Sequence, residues 1–236
     1  MKAERITQVA EAELDEETIV ERIFEAVIEQ RLPPGTKLSE SALCTVFGVG
    51  RMRIRRSLLL LASREVVDLQ SNRGAFVASP TPQQAREVFE ARLALEPTIT
   101  RLAVERATDA DVGLLRDNLE REYAAHRSNM RHDAIRLSGE FHTLLAQIAG
   151  NSVLLRMSKE LVTRSSLIIG MFGSAGVTNC RDDDHAAIVD AFRNRAADKA
   201  AQMMSAHIRH IESHLDLSIP ARHVVKLSEI FAPAKR

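Results

Sequence analysis

The sequence predicts a mainly α protein: an N-terminal module of three helices closed by a two-stranded hairpin, then an all-helical bundle of six to seven helices. Three observations carry this expectation. Ala, Leu, Arg and Glu are abundant while aromatics make up only 4% of the 236 residues, a bias toward helix formers. The β-like runs, Val66 to Gln70 and Ala75 to Ala78, are short and adjacent. Beyond them, from Gln83 to Leu217, no strand pattern competes with helical spacing. At 45% hydrophobic and 27% charged, with ten Gly and seven Pro, the composition is that of a globular protein and excludes collagen-like or disordered chains.

The elements follow in order. Between Glu16 and Gln30, Ile19, Ile23, Phe24, Val27 and Ile28 recur at spacings of three and four, the stripe of an amphipathic helix. It ends at the breaker RLPPG, residues 31–35. Ser39 reads as the N-cap of a short helix through Phe47, which Gly48, Val49 and Gly50 terminate. A third helix runs from about Arg51 to Arg64. On a helical wheel Ile54, Leu58 and Leu61 fall within about 60° of one another, while Arg51, Met52, Arg55 and Arg56 sweep the open side. Arg53, about 200° from Arg51, stands apart from that group, and both a DNA-facing and an off-face role stay open for it. Ser71, Asn72, Arg73 and Gly74 separate the two β-like runs as a hairpin turn. Helix, helix, tight turn, helix and hairpin is the order of a winged helix-turn-helix.

Net charge is zero, but it is segregated. Residues 1–30 hold three basic and nine acidic side chains, residues 31–79 eight basic and three acidic, and the remainder is balanced. Arg51, Arg53, Arg55 and Arg56 lie within six residues. Such a cluster suits a small DNA-reading module joined to a part that does not touch DNA. On charge alone a solvated helix face explains it as well.

The segments RLPPGTKLSESAL, FGVGRMRIRRSL and NRGAFV resemble the GntR superfamily of bacterial transcription regulators, over nearly all of residues 15–79. The resemblance implies that the third helix enters the major groove of double-stranded DNA and the wing reaches the minor groove. By position, Arg51 and Arg55 match the two family arginines that read bases or phosphates, and Arg73 and Gly74 match the wing tip; Ser41, Met52 and Arg53 complete the candidate DNA-contacting set. Arginine's planar fork bonds a guanine edge bidentately, and glycine lets the wing backbone approach closely. Three positions depart from the family pattern: its Ser or Thr is Gly50, its Pro is Arg53 and its acidic residue is Arg56. The expected consequences are an atypical operator and a steep salt dependence.

After Pro80, Thr81 and Pro82, with Thr81 as a candidate cap, the helical region resembles the FadR-like branch with its FCD-type ligand-binding domain. The resemblance rests on ARLALEPTITRLAVERAT, GEFHTLLAQIAGNSVL and DHAAIVDAFRNRAADKAAQMMSAHI. Many such domains hold a divalent metal with one Asp and three His. The matching positions here are His142, His185 and His207, with Ser138 where the Asp stands. A hydroxyl is a poor ligand beside a carboxylate, so the resemblance implies three neutral imidazoles able to bind Zn or Ni with open positions, more weakly than four ligands would. It also implies an effector pocket with Arg92, Ser138, His142, His185 and His207. Each of these histidines reads equally as a hydrogen-bonded core residue, and Arg92 as the i,i+4 partner of Glu96. His210 and His214 form another i,i+4 pair, which periodicity alone does not separate from His207.

The resulting domain expectation is an arm at 1–14, a DNA-binding module at 15–79, a linker at 80–82, an effector-binding and dimerisation domain at 83–217, and a tail at 218–236 packing on a partner subunit. No apolar stretch approaches the roughly 20 residues of a membrane helix. The N-terminus lacks a secretory signal, and Cys44 and Cys180 form no CxxC pair, which makes the cytoplasm the default. HExxH, GxSxG, Walker and GxGxxG motifs are all missing, which argues against an enzyme. The expected function is a homodimeric regulator that binds an inverted-repeat operator and senses a small organic acid, with a metal as a candidate participant. The alternative is a DNA-binding dimer whose C-terminal domain has lost metal and effector sensing.

Overall fold

The computed structural model describes residues 14–28, 31–173, 184–218 and 227–231. Residues 1–13 of the expected arm, Cys180, and Val224 and Val225 of the tail lie outside the described residues.

Helix α1 spans Glu16–Ile28, and Asp15 Oδ1 accepts from the Thr18 amide at 2.7 Å. The chain turns at Pro33–Gly35, where Gly35 adopts φ 76° and its amide donates to the Val77 carbonyl. Strand β1, Lys37–Leu38, then pairs antiparallel with β3, Gly74–Val77, and β2, Val67–Gln70, pairs on the other side, giving the order β1-β3-β2. The sequence analysis lacks β1 because two residues are too short for an alternating pattern. Val66 and Ala78 fall outside the ladder, and a bond from the Ala78 amide to the Val66 carbonyl closes the sheet's end.

Helix α2, Glu40–Phe47, starts at Ser39 as expected. The Ser39 hydroxyl, however, pairs with Ser41 Oγ at 2.9 Å instead of capping a backbone amide. Gly48 ends α2 in the left-handed region at φ 65°, which glycine adopts without a Cβ penalty. Helix α3 spans Arg51–Ser63, and Ile54, Leu58 and Leu61 are its buried stripe. With Ile19, Ile23, Leu32, Leu38, Leu43 and Val77 they form the head's core, each contributing about 1.5–3 kcal/mol by burial.

Six helices follow: α4 Pro82–Arg106, α5 Asp109–Arg127, α6 Arg131–Ile148, α7 Ser152–Phe172, α8 Asp184–Arg193 and α9 Ala197–Ser213. Thr81 caps α4 in a reciprocal box with Gln84, Thr108 does the same for α5 with Asp111, and Asn151 Oδ1 accepts the first free amides of α7. Pro82, read as linker in the sequence, is the first residue of α4, where proline's missing N–H has no helical partner to lose. Phe89, Phe141, Ile188, Phe192 and Ile208 fill the bundle's core. The head docks on the bundle through α7: Leu167 joins the head's apolar cluster, and Arg164 Nη2 lies 3.0 Å from Glu65 Oε2. The last described element, α10 (Leu227–Ile230), lies against α2, with the Phe231 and Phe47 ring centroids 5.1 Å apart. That part of the tail covers the head of its own chain, where the sequence analysis expects a partner subunit. No helix among the described residues is long and apolar enough to cross a membrane.

Candidate effector site and nucleic-acid face

Helices α6, α8 and α9 bring His142, His185 and His207 together in the bundle core, all three buried, with one ring nitrogen of each within 4.8 Å of the others. Phe141, next to His142, stacks on the His185 ring at 4.1 Å and fixes its plane. Behind each imidazole stands a carboxylate. His142 Nδ1 lies 2.6 Å from Glu96 Oε2, a close contact without hydrogen-bond alignment. His185 Nδ1 meets Glu122 Oε2 at 2.9 Å, and His207 Nδ1 meets Asp184 Oδ2 at 3.3 Å. On the inner side, His185 Nε2 and His207 Nε2 are 3.1 Å apart, and His142 Nε2 is buried with no hydrogen bond.

The electrostatics follow from burial. Burial pushes His142 down to about 4 despite the opposing charge of Glu96, and burial with the neighbouring His185 brings His207 to about 3. Burial alone would raise the carboxyls. For Glu96 the charges of Arg92 and His142 outweigh it and hold the group far below the carboxylate range, while His185 and His126 hold Glu122 at about 2. At neutral pH, His142 and His207 are therefore neutral rings beside ionised carboxylates.

This arrangement fits a divalent transition metal. Neutral imidazoles suit Zn or Ni, and for His185 and His207 a carboxylate hydrogen-bonded to the outer ring nitrogen favours the tautomer whose inner lone pair is free. Two nitrogens on a tetrahedral zinc, each about 2.0–2.1 Å away, stand about 3.4 Å apart. The 3.1 Å between His185 and His207 is close to that. His142, His185 and His207 would hold the ion, which would act as a Lewis acid toward an anionic oxygen.

A small cavity of about 20 Å³ lies beside His142, lined among others by Arg92, Ser138, Gly139, His142, Ser165 and Ser166. Arg92 is 2% exposed. Its Nε donates to Glu96 Oε1 at 2.5 Å and its Nη1 to Ser165 Oγ at 3.0 Å, while Nη2 is buried without a partner. Arg92 thus pairs with Glu96 and also lines the cavity. His214 is separated from His207: it is exposed and its Nδ1 lies 2.8 Å from the His210 carbonyl. Glu122 and Asp184 as supports are not evident from the sequence, and Glu96 stands out there only beside Arg92. Glu122 carries no sequence signal, whereas Asp184 is the neighbour of a candidate ligand.

On the head, Arg51, Met52, Arg55 and Arg56 are exposed along α3. Arg55 Nε pairs with Glu40 at the start of α2, and Arg56 Nη1 lies 3.1 Å from Glu16 Oε1. Arg53 is half-buried and donates from Nη1 to the Leu14 carbonyl at 3.2 Å. Ser41 is exposed one residue beyond Glu40, and at the wing Arg73 lies over the Phe76 ring at 5.6 Å beside Gly74, whose φ is 97°.

A winged helix with basic residues along its third helix, joined to a helical domain with a buried histidine cluster, defines a DNA-binding regulator. The chain belongs to the gntR family of bacterial regulatory proteins, matched over residues 15–77, and carries an FCD domain, matched over residues 87–210. It is 26% identical over 186 residues to the uncharacterized HTH-type transcriptional regulator YdhC of Bacillus subtilis, covering 77% of this chain and 82% of that protein. It is 25% identical to the HTH-type transcriptional repressor RspR of Escherichia coli K12, covering 78% and 82%. The HTH-type transcriptional repressor NanR of Salmonella newport is 26% identical over 221 residues, with 84% of each chain covered. The fold is shared with a GntR transcriptional regulator from Rhodococcus sp. RHA1 (TM-score 0.74, 19% identity, 84% and 95% covered) and with E. coli McbR/YncC (TM-score 0.72, 18% identity, 82% and 93% covered). These relatives are transcription regulators, and the protein is a regulator and not an enzyme.

Proposed function

We propose that the protein is a homodimeric, ligand-responsive transcription regulator whose head, residues 15–79, binds an inverted-repeat operator and whose bundle, residues 83–217, senses a small organic acid beside a bound divalent metal. The observation that carries this reading is the carboxylate-backed histidine triad next to a cavity that holds a buried arginine with an unpartnered Nη2. With Ser138 in place of an acidic ligand, the inner shell holds no anion, and an effector carboxylate reaching His142 and Arg92 supplies one. The names of RspR and NanR favour repression.

Helix α7 is the route between the sites. Val162, Ser165, Ser166 and Ile169 line the cavity, while Arg164 and Leu167 on the same helix hold the head. An effector that binds two settings of α7 with different affinity shifts the head by that difference. A second reading, a hydrogen-bonded core without metal or effector, is favoured by the His185–His207 contact itself.

Metal content per chain separates the two readings, measured on protein purified without added metal or chelator. Near-stoichiometric metal that disappears in a His142→Ala, His185→Ala double variant supports sensing. Metal-free wild-type protein that is also not stabilised by any of a panel of small carboxylates rejects it.

A further inference from the structure

The arginines of α3 use their nitrogens differently. A guanidinium offers a side edge, through Nε, and an end edge formed by Nη1 and Nη2. In Arg55 both Glu40 oxygens meet Nε alone, at 2.9 and 3.0 Å, and neither Nη makes a hydrogen bond among the described residues. Its side chain is 55% exposed, so the end edge is open to solvent chemistry. Arg56 spends an Nη on Glu16 Oε1 in the first turn of α1, and Arg53 one on the carbonyl of Leu14, two residues before that helix. These two arginines are also two of the three positions at which the chain departs from the family pattern.

We infer that Glu40 is a positioning residue that holds Arg55 with its Nη edge ready for the O6/N7 edge of guanine, and that Arg53 and Arg56 fasten α1 to α3 instead of reading bases. The inference rests on the proposed entry of α3 into the major groove. The backbone supports the arrangement: Gly48, left-handed at φ 65°, ends α2, and Gly50 starts α3, which sets the first turn of α2 against the second turn of α3. Holding one edge of the fork removes the side-chain freedom that guanine binding would otherwise have to freeze. The pair is also neutral as a unit. Arg55 therefore adds little to attraction by DNA phosphates, and its contribution appears in discrimination between sequences. Losing Glu40 then has effects of opposite sign, with tighter binding to unrelated DNA and poorer selectivity.

The test begins by selecting an operator from a random duplex pool with the full-length protein. Its affinity and that of a scrambled duplex are then measured by fluorescence anisotropy at one salt concentration. Arg55→Ala is expected to lower the operator-to-scrambled ratio about tenfold, within the range of one bidentate contact. Glu40→Ala is expected to lower it by a similar factor while raising affinity for the scrambled duplex. Glu40→Gln, whose amide oxygen still accepts from Nε, retains most of the ratio. Replacing the read guanine with 7-deazaguanine should reproduce the loss in the wild type and add nothing in Glu40→Ala. Arg53→Ala and Arg56→Ala should leave the ratio unchanged. A normal ratio in Glu40→Ala beside a reduced one in Arg55→Ala overturns the positioning role alone. A normal ratio in Arg55→Ala overturns the groove assignment beneath it, and a reduced ratio in Arg53→Ala or Arg56→Ala overturns their exclusion.

Discussion

The recognition helix and the histidine centre are both built from paired ionisable groups, yet the pairs do opposite physical work. On α3 the pairs Arg55–Glu40 and Arg56–Glu16 sit in water, where ion pairing adds little to stability and leaves the side chains open to other partners. In the bundle Arg92, Glu96 and His142 are buried together, and no member can leave without stranding the others. Exposed charge is available for binding, while buried charge fixes geometry.

The sharpest way to break this comparison is to remove one member of each set. Glu96→Ala leaves Arg92 as an uncompensated buried cation, and chemical denaturation should show a loss of about 3–5 kcal/mol. Glu16→Gln, the exposed counterpart, should change stability by less than about 1 kcal/mol in the same assay. Equal losses would mean that the burial contrast does not govern the two sites.

An intermediate effect comes from pH. Folding depresses His142 to about 4 and His207 to about 3, so below the ordinary histidine value the unfolded chain binds protons that the folded chain does not. Stability of the metal-free protein should therefore fall as pH drops from about 6.5 toward 4, by a few kcal/mol in order of magnitude. A His142→Asn, His207→Asn variant should flatten that slope in thermal melts across the range. The same slope in wild type and variant would place the titration elsewhere.

The two regions also differed in how far the sequence disclosed them. The head was legible almost to the residue, because Ile54, Leu58 and Leu61 repeat at helical spacing, Gly48 and Gly50 mark its turns, and four of its arginines fall within six residues. The histidine centre is assembled from α6, α8 and α9 with supports from α4 and α5, so its members are scattered along the chain. His142, His185 and His207 emerged only through family resemblance, and no local pattern signals that Glu122 reaches His185. Strand β1 was invisible for a different reason, being two residues defined by the partner they pair with.

The smallest change in structure should give the most informative result on coupling. Arg164→Gln removes a partly exposed pair with Glu65 between α7 and the head and should barely alter the melting temperature. The most direct test of the central claim compares operator affinity of zinc-loaded and chelated protein, in the wild type and in this variant. Effector-type coupling spans about 5–150-fold, and the account predicts a difference in that range for the wild type that shrinks in Arg164→Gln while zinc content is unchanged. Identical operator affinity with and without zinc in the wild type, at full zinc occupancy, would contradict the claim that the buried centre controls the exposed one.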